Sequence, residues 1–237
     1  MKSFLTPIFQ PVLSSSDGHP LFYLECLARV RNDESRQKHI PIFENADAEL
    51  LYLIDSVMLD YAAFSSDLMG VRIGVNVSRE TLGHDFGRYL RQLSLVPHDV
   101  RRRLIVEIVE DDYTKGPGYS EMARMVGMLS QTGCTVALDD IDPENVSSCD
   151  ERLAMHAAVS FIKLSMPVTR RITSGDIALL CEACRIGSWK PVVGEGVGNR
   201  DIYISAVNLF DYLQGFFLSI PVNMPEAMRN LNFRLNA

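Results

Sequence analysis

Apolar segments with the length of buried strands alternate with segments of helical periodicity along most of this chain. Strand-like runs lie at residues 71–77, 104–110, 134–140, 159–164, 190–195 and 212–217. Helical patterns lie at residues 42–64, 86–95, 122–131, 177–186 and 201–209. Such alternation is typical of a parallel sheet covered by helices, and this run is too long for a small open sheet. The sequence therefore predicts an α/β fold, a TIM-like (β/α)₈ barrel.

The first segments of the chain depart from this alternation. Apolar runs at residues 7–12 and 20–27 are separated by a turn-rich stretch at 14–18, a spacing typical of antiparallel neighbours. We therefore expect the barrel to begin with an irregular, antiparallel first strand. No linker rich in Pro, Gly or Ser and no repeat divides the chain, so residues 1–237 are predicted to form a single domain.

Composition argues against several classes of function. The formal net charge of -7 opposes non-specific binding to DNA, although metal ions can locally reverse the charge for an anionic ligand. No apolar run is long enough to span a membrane, and the N-terminal residues lack the apolar core of a signal peptide. The five scattered cysteines are typical of free thiols in a reducing compartment, so a cytoplasmic location is expected.

Polar residues recur where the apolar segments end, and in a barrel these ends meet at one mouth. The set has five carboxylates, two amides and one ammonium: Glu25, Asn76, Glu107, Asp139, Asp140, Lys163, Glu195 and Gln214. Hard divalent cations such as Mg²⁺ or Mn²⁺ prefer oxygen ligands, whereas zinc prefers nitrogen or sulfur. The pattern therefore predicts a site for Mg²⁺ or Mn²⁺.

Several of these positions have two interpretations. Asp139 and Asp140 repel each other unless a cation lies between them, and a pair of ions about 4 Å apart is the usual arrangement for phosphoester hydrolysis; Asp is also a common turn former. Lys163 in an apolar run is costly unless it is paired, which favours a functional role. Glu25 and Arg29 can hold a cation and an anion side by side, or form a solvated ion pair.

An ordered series of short motifs resembles the EAL-domain cyclic-di-GMP phosphodiesterases over essentially the whole chain. The family's QPI, EALxR, NxS and ExxE motifs are matched by Gln10-Pro11-Val12, Glu25-Cys26-Leu27-Ala28-Arg29, Asn76-Val77-Ser78 and Glu107-Ile108-Val109-Glu110. Its DD, KxD, EGVE and QG motifs are matched by Asp139-Asp140, Lys163-Leu164-Ser165, Glu195-Gly196-Val197-Gly198 and Gln214-Gly215. Each motif alone is weakly specific, but their order makes the resemblance strong.

The resemblance implies hydrolysis of cyclic-di-GMP to linear pGpG by water that two ions of Mg²⁺ or Mn²⁺ activate. Such an activity lowers cyclic-di-GMP signalling in the control of motility, biofilms or fimbriae. The first metal ion is then assigned to Glu25, Asn76, Glu107 and Asp139. The second is assigned to Asp139, Asp140 and Glu195.

Further roles follow from the same resemblance. Lys163 would orient the water or stabilise charge on the phosphate, and Glu195 would act as the general base or as a ligand of the second metal. Arg29 would grip a phosphate of the substrate as a planar fork. The nucleotide pocket would be lined by Gln10, Leu27 and Gln214.

This chain departs from the family pattern around the predicted second metal. The family's DFGTGYSS loop runs here from Asp140 to Ser148, with both glycines replaced and Pro143 introduced, so a different backbone path is expected. Glu110, the family's loop anchor, is present. Ser165 and Gly198 replace an Asp and a Glu, and losses of such supporting groups often reduce metal affinity or activity by about 10- to 100-fold.

Three hypotheses therefore remain open: a working phosphodiesterase, a degenerate cyclic-di-GMP sensor, and a protein-binding regulator, for example of the flagellar master regulator. The full set of predicted metal ligands favours the enzyme, because buried carboxylates without partners destabilise a fold. The resemblance further implies a homodimer. No sensor segment is recognisable beside the domain, so regulation is expected from expression level, dimerisation or a regulatory protein partner.

Overall fold

A computed structural model describes residues 5–16, 18–30, 46–109 and 117–235 of the protein. Eight strands close into a barrel in sequence order. They are β1 (Leu5–Ser14), β2 (Leu21–Val30), β3 (Ile73–Val77), β4 (Leu104–Val109), β5 (Thr135–Ile141), β6 (Val159–Leu164), β7 (Val192–Gly194) and β8 (Tyr212–Leu213). The predicted (β/α)₈ barrel is confirmed.

Helices cover the outside of the barrel. Those in the described part of the chain are α1 (Ala48–Met69), α2 (Arg79–Leu95), α3 (His98–Arg101), α4 (Tyr119–Gln131), α5 (Ser148–Ala154), α6 (Met166–Thr173), α7 (Ile177–Ile186), α8 (Arg200–Ala206) and α9 (Met224–Leu235). None of these helices combines the length and the apolar character needed to cross a bilayer. All five cysteines are free thiols, as predicted.

Strand β1 is antiparallel to both of its neighbours, β2 and β8, while the remaining neighbours are parallel. The expected irregular first strand is therefore confirmed. Its register places Gln10 opposite Glu25. Because side chains alternate across a strand, both residues point into the barrel, with Tyr23 one layer below Glu25.

Two apolar layers hold the barrel. The larger lies between the strands and the helices. The smaller fills the barrel interior and is formed by Val12, Tyr23, Ile105, Ala137, Phe161 and Val193. This interior layer lies beneath the polar residues at the strand ends, so it closes the floor of the mouth.

The polar composition of residues 142–150 predicts a loop, and this prediction is wrong at its C-terminal end, where a helix begins at Ser148. Polarity misled the interpretation, because the polar residues there serve as a cap. The Ser147 hydroxyl accepts a hydrogen bond from the amide of Asp150 and donates one to its carboxylate. Ser78, which follows the strand-like run at residues 71–77, is also in a position typical of a helix cap, and its hydroxyl accepts a hydrogen bond from the amide of Thr81.

Candidate metal centre at the barrel mouth

Lys163 lies at the centre of the barrel mouth and is surrounded by four carboxylates. Its Nζ atom is 2.7 Å from Glu107 Oε2, 2.8 Å from Glu195 Oε1, 3.0 Å from Asp139 Oδ1 and 3.3 Å from Glu25 Oε2. Lys163 lies on strand β6, and its side chain is buried. Its carboxylate partners come from strands β2, β4 and β5 and from the residue after β7, so the structure brings these predicted residues together.

Two amides fix the carboxylate of Glu25. Asn76 Nδ2 donates to Glu25 Oε1 at 2.9 Å, and Gln214 Nε2 donates to Glu25 Oε2 at 2.5 Å. Gln10 accepts from the same Gln214 amide at 3.4 Å and donates to the Ser219 carbonyl at 3.3 Å. Glu25 therefore has a fixed orientation before any ligand binds.

The two adjacent carboxylates of β5 point in different directions. Asp139 is buried, and its Oδ1 accepts the amide of Asp140 at 2.9 Å. Asp140 has φ of 56°, in the left-handed region that residues other than glycine rarely adopt. This backbone turn leaves Asp140 exposed at the rim while Asp139 faces inward.

Glu195 follows strand β7 and is positioned through its backbone. Its amide donates to the hydroxyl of Thr169 on α6 at 3.1 Å, and Thr169 is fully buried. Gly215, after Gln214, packs directly on the backbone of Val197, where a Cβ atom would lie 2.2 Å from the Val197 carbonyl oxygen. Only glycine allows this contact, which brings the segments carrying Glu195 and Gln214 together.

Burial raises the pKa of three of the four carboxyls, because their charged forms lose hydration. The pKa of Asp139 rises to about 7. Those of Glu107 and Glu195 rise well above their ordinary values, although the Lys163 ammonium opposes each shift. Without a cation, these three carboxyls therefore bind protons more readily than ordinary side chains do, because one ammonium does not compensate four carboxylates.

Glu25 and Lys163 show the opposite balance. Burial acts to raise the pKa of Glu25, but the Lys163 ammonium and the hydrogen bonds from Gln214 and Asn76 outweigh it, so the net pKa is lowered. Burial acts to lower the pKa of Lys163, yet the surrounding carboxylates raise it well above its ordinary value. Both groups are thus held in their charged forms.

The donor set fits divalent cations. Oxygen atoms of Glu25, Glu107 and Asp139 lie within 4.8 Å of one another, as do those of Asp139, Asp140 and Glu195. Asp139 belongs to both groups, as expected for a residue between two ions. In the described chain, the Asn76 Oδ1 atom and both carboxylate oxygens of Glu107 are buried without a hydrogen-bond partner, although Oε2 of Glu107 makes the ion pair with Lys163. A cation would satisfy these atoms.

A family model described as "EAL domain" matches residues 2–221. The chain belongs to the EAL domain family. No curated protein matches the sequence. The family match covers all of the residues around Lys163 described above.

Solved structures of EAL domains superpose on this one. The EAL enzyme Bd1971 in its cGMP-bound form gives a TM-score of 0.77 at 15% identity, with 98% of this chain and 65% of that chain covered. The PaMucR phosphodiesterase in complex with cyclic-di-GMP gives a TM-score of 0.76 at 20% identity, with 94% of this chain and 99% of that chain covered. A stand-alone EAL protein from Vibrio cholerae O395 with cyclic-di-GMP bound gives a TM-score of 0.70 at 18% identity, with 94% of each chain covered. At these identities the similarity establishes the fold.

Two further predicted residues of the EAL motifs lie at the rim of the barrel mouth. Leu27 and Arg29 follow Glu25 on β2 and are half-buried, and the Arg29 guanidinium donates to the Ala28 carbonyl at 2.7 Å. Glu110 lies outside the described residues. The positions of Leu27 and Arg29 are compatible with ligand contact from above the carboxylate cluster.

The altered loop of this EAL domain contacts helix α6. In the loop after Asp140, Glu144 forms an ion pair with Arg171 of α6, and Arg171 also contacts Asp176 Oδ2 at 2.6 Å. Ser165 donates its amide to the Ile141 carbonyl at 3.3 Å. The loop therefore contacts α6 at the protein surface through an exposed ion pair.

Sequence reasoning missed three residues that shape the site. Thr169 holds the backbone of Glu195, and nothing in its local sequence pattern indicates this role. Gly74 and Tyr23 adjoin the Glu107 carboxylate in the barrel interior. The two-residue periodicity of strands would have placed both on the inward face, since Tyr23 precedes Glu25 by two residues and Gly74 precedes Asn76 by two.

Proposed function

We propose that this EAL domain hydrolyses cyclic-di-GMP to linear pGpG with the help of two divalent cations, Mg²⁺ or Mn²⁺. The observation that supports the proposal most is the buried cluster of four carboxylates around Lys163, in which Glu107 Oε1 and Asn76 Oδ1 have no hydrogen-bond partner among the described residues. A fold keeps such a costly arrangement when a ligand compensates it. Phosphodiester hydrolysis is the reaction that this donor set suits best.

Two overlapping groups of ligands would hold the cations. One comprises Glu25, Asn76, Glu107 and Asp139. The other comprises Asp139, Asp140 and Glu195. When bound, the cations would lower the pKa of the attacking water and neutralise negative charge on the phosphate.

The remaining chemistry belongs to side chains of this chain. Lys163 keeps its proton, so its ammonium can hold the attacking water and stabilise negative charge on the phosphate. Glu195 has a raised pKa and lies at 2.8 Å from Lys163, which suits a general base that accepts the proton of that water. Asp140, exposed at the rim, would reach a cation at the phosphate from the solvent side.

Four residues at the mouth would bind the dinucleotide. Arg29 offers a planar fork of donors to a phosphate. Gln214, which donates to both Glu25 and Gln10, would line the pocket together with Gln10. Leu27 supplies apolar surface. The cyclic-di-GMP seen in the superposable PaMucR and Vibrio cholerae proteins supports this choice of ligand.

A second candidate function is binding of cyclic-di-GMP without cleavage, or of a protein partner. The observation that favours it is the loop after Asp140, which lacks the family's glycines and is tied to Arg171 instead. This loop carries the residues beside the second group of ligands. A cluster that binds only one cation would hold the nucleotide and fail to hydrolyse it.

The test is incubation of the purified protein with cyclic-di-GMP and Mg²⁺ or Mn²⁺, with separation of the products by chromatography. We expect pGpG to accumulate with wild type and with Glu121→Ala, a matched control on the exposed face of α4. Glu25→Ala should abolish the product, because it removes a carboxylate and leaves the Asn76 and Gln214 amides without their acceptor.

Three other outcomes would contradict the proposal in different ways. Product formation by Glu25→Ala would exclude the metal assignment. Tight binding of cyclic-di-GMP by wild type without product would show a sensor. Neither binding nor product would favour a protein-binding regulator, and the predicted homodimer can be checked in the same preparations by sedimentation.

A further inference from the structure

Tyr23 lies directly beneath the carboxylate cluster and belongs to neither group of proposed ligands. Its side chain is fully buried in the interior layer, against Phe22 and Phe161. Its hydroxyl has no hydrogen-bond partner in the described part of the chain. Burial and the nearby Glu107 carboxylate raise the pKa of this phenol well above its ordinary value, so it stays an O–H donor.

The position of Gly74 shows how close Tyr23 and Glu107 are. A Cβ atom on Gly74 would lie 1.9 Å from Glu107 Oε1 and 2.6 Å from Tyr23 Cε2. Both side chains therefore occupy the space that a larger residue on β3 would fill. Cε2 is the ring carbon two bonds from the hydroxyl oxygen, so the phenol edge faces the same side as Glu107 Oε1.

Glu107 Oε1 is the matching acceptor. It is buried and, among the described residues, has no hydrogen-bond partner. The other oxygen, Oε2, contacts Lys163 at 2.7 Å. One carboxylate oxygen thus faces the charged centre, while the other faces the Tyr23 ring.

We propose that Tyr23 is a positioning residue for the metal centre, whose hydroxyl donates to Glu107 Oε1 through one bridging water and so orients the other oxygen toward the cation. The inference rests on the proposed function, because it assumes that Glu107 is a metal ligand. Hydrogen bonds to ligating carboxylates fix their orientation, and their loss typically lowers metal affinity by about 10- to 100-fold. Apolar packing explains the ring of Tyr23, but it does not explain a hydroxyl in a layer otherwise made of apolar side chains.

The test is Tyr23→Phe, which keeps the ring and removes the hydroxyl. The matched control is Tyr89→Phe on α2, because Tyr89 is also fully buried and its hydroxyl likewise lacks a partner among the described residues. Mn²⁺ affinity is measured by titration calorimetry without nucleotide, and the melting temperature is measured without metal. We expect Tyr23→Phe to weaken Mn²⁺ binding by about 10- to 100-fold, with a melting temperature that changes no more than in Tyr89→Phe.

The possible failures are distinguishable. If wild type and Tyr23→Phe bind Mn²⁺ equally, the positioning role is wrong and the proposed hydrolysis is unaffected. If Tyr89→Phe weakens Mn²⁺ binding as much, the effect is general to buried hydroxyls and the proposal is overturned. If wild type binds no Mn²⁺, both the proposed function and the role of Tyr23 are excluded.

Discussion

The Nζ atom of Lys163 lies 2.7 Å from Oε2 of Glu107, and neither side chain is more than 1% exposed. A buried ion pair of this kind contributes little net stability when intact, because desolvation offsets the attraction. Breaking it is a different matter, since the remaining charge is left buried without compensation. Lys163 serves four carboxylates at once, so the apo fold depends on this one ammonium.

We predict that Lys163→Met destabilises the metal-free protein by about 3–5 kcal/mol at neutral pH. Methionine preserves the approximate volume but leaves the carboxylates to repel one another. Because Mn²⁺ replaces the lost positive charge, adding it should restore much of the stability. Urea unfolding with and without Mn²⁺ measures both effects. Lys190→Met is the control, because Lys190 donates to main-chain carbonyls instead of carboxylates, so its loss should not respond to Mn²⁺.

Much of the barrel was predictable because strands β3 to β6 and helix α7 have strong periodicity and clear ends. The segment at residues 177–186 matches α7 at both boundaries, and residues 159–164 match β6. Helix α6 was not predicted, since it is short and begins immediately after β6 with Pro167 in its first turn. Its formation depends on tertiary contacts, such as the Thr169 hydroxyl that accepts the amide of Glu195.

The residues that meet at the barrel mouth could be predicted from their types and spacing, but the distances between them could not. Polar residues at strand ends converge in any closed barrel, so Glu25 and Lys163 were expected to approach each other. The outward turn of Asp140 depends on its φ of 56°, which a sequence pattern does not encode for a residue other than glycine. The contact of Gly74 with Glu107 likewise depends on strand register.

Gly74→Ala is predicted to disturb the proposed metal centre through packing alone. The added Cβ atom would meet Glu107 Oε1 at 1.9 Å and Tyr23 Cε2 at 2.6 Å, so both side chains must move. Overpacking of this kind costs about 1–3 kcal/mol, and displacement of Glu107 should weaken Mn²⁺ binding. Calorimetry and urea unfolding measure the two effects. Gly127→Ala on α4 has open space around its Cβ position and should be neutral or stabilising; an equal loss in both variants would contradict this explanation.

Arg79 and Asp150 form a second buried ion pair, which joins the start of α2 to α5 beside the altered loop. Arg79→Met and Asp150→Leu should each cost about 3–5 kcal/mol, whereas the double variant should cost less than the sum because no charge is left unpaired. Urea unfolding of the four proteins gives the coupling energy. Arg185→Met, which breaks an exposed pair with Glu182, is the comparison and should have little effect on stability. Additive losses in the double variant would exclude the pairing.

Asp55 gives a prediction for the dependence of stability on pH. Burial raises the pKa of this carboxyl from 3.8 to about 6, despite hydrogen bonds from Thr81 and Ser78. The folded state therefore binds a proton more tightly than the unfolded state, and this contribution to stability is fully present below pH 3.8. It is lost as the pH rises through about 6 and stays absent above that.

Asp55→Asn should remove this slope, because the amide cannot ionise while its Oδ1 can still accept from the Ser78 amide and hydroxyl. Relative to wild type, the variant should gain up to about 3 kcal/mol between acidic and neutral pH. Urea unfolding across this range measures the difference, and Asp67→Asn on the exposed face of α1 is the control. The opposite result would be a free energy of unfolding that, relative to Asp55→Asn, increases in wild type as the pH rises. It would show that the Ser78 hydrogen bonds outweigh burial and hold Asp55 as an anion.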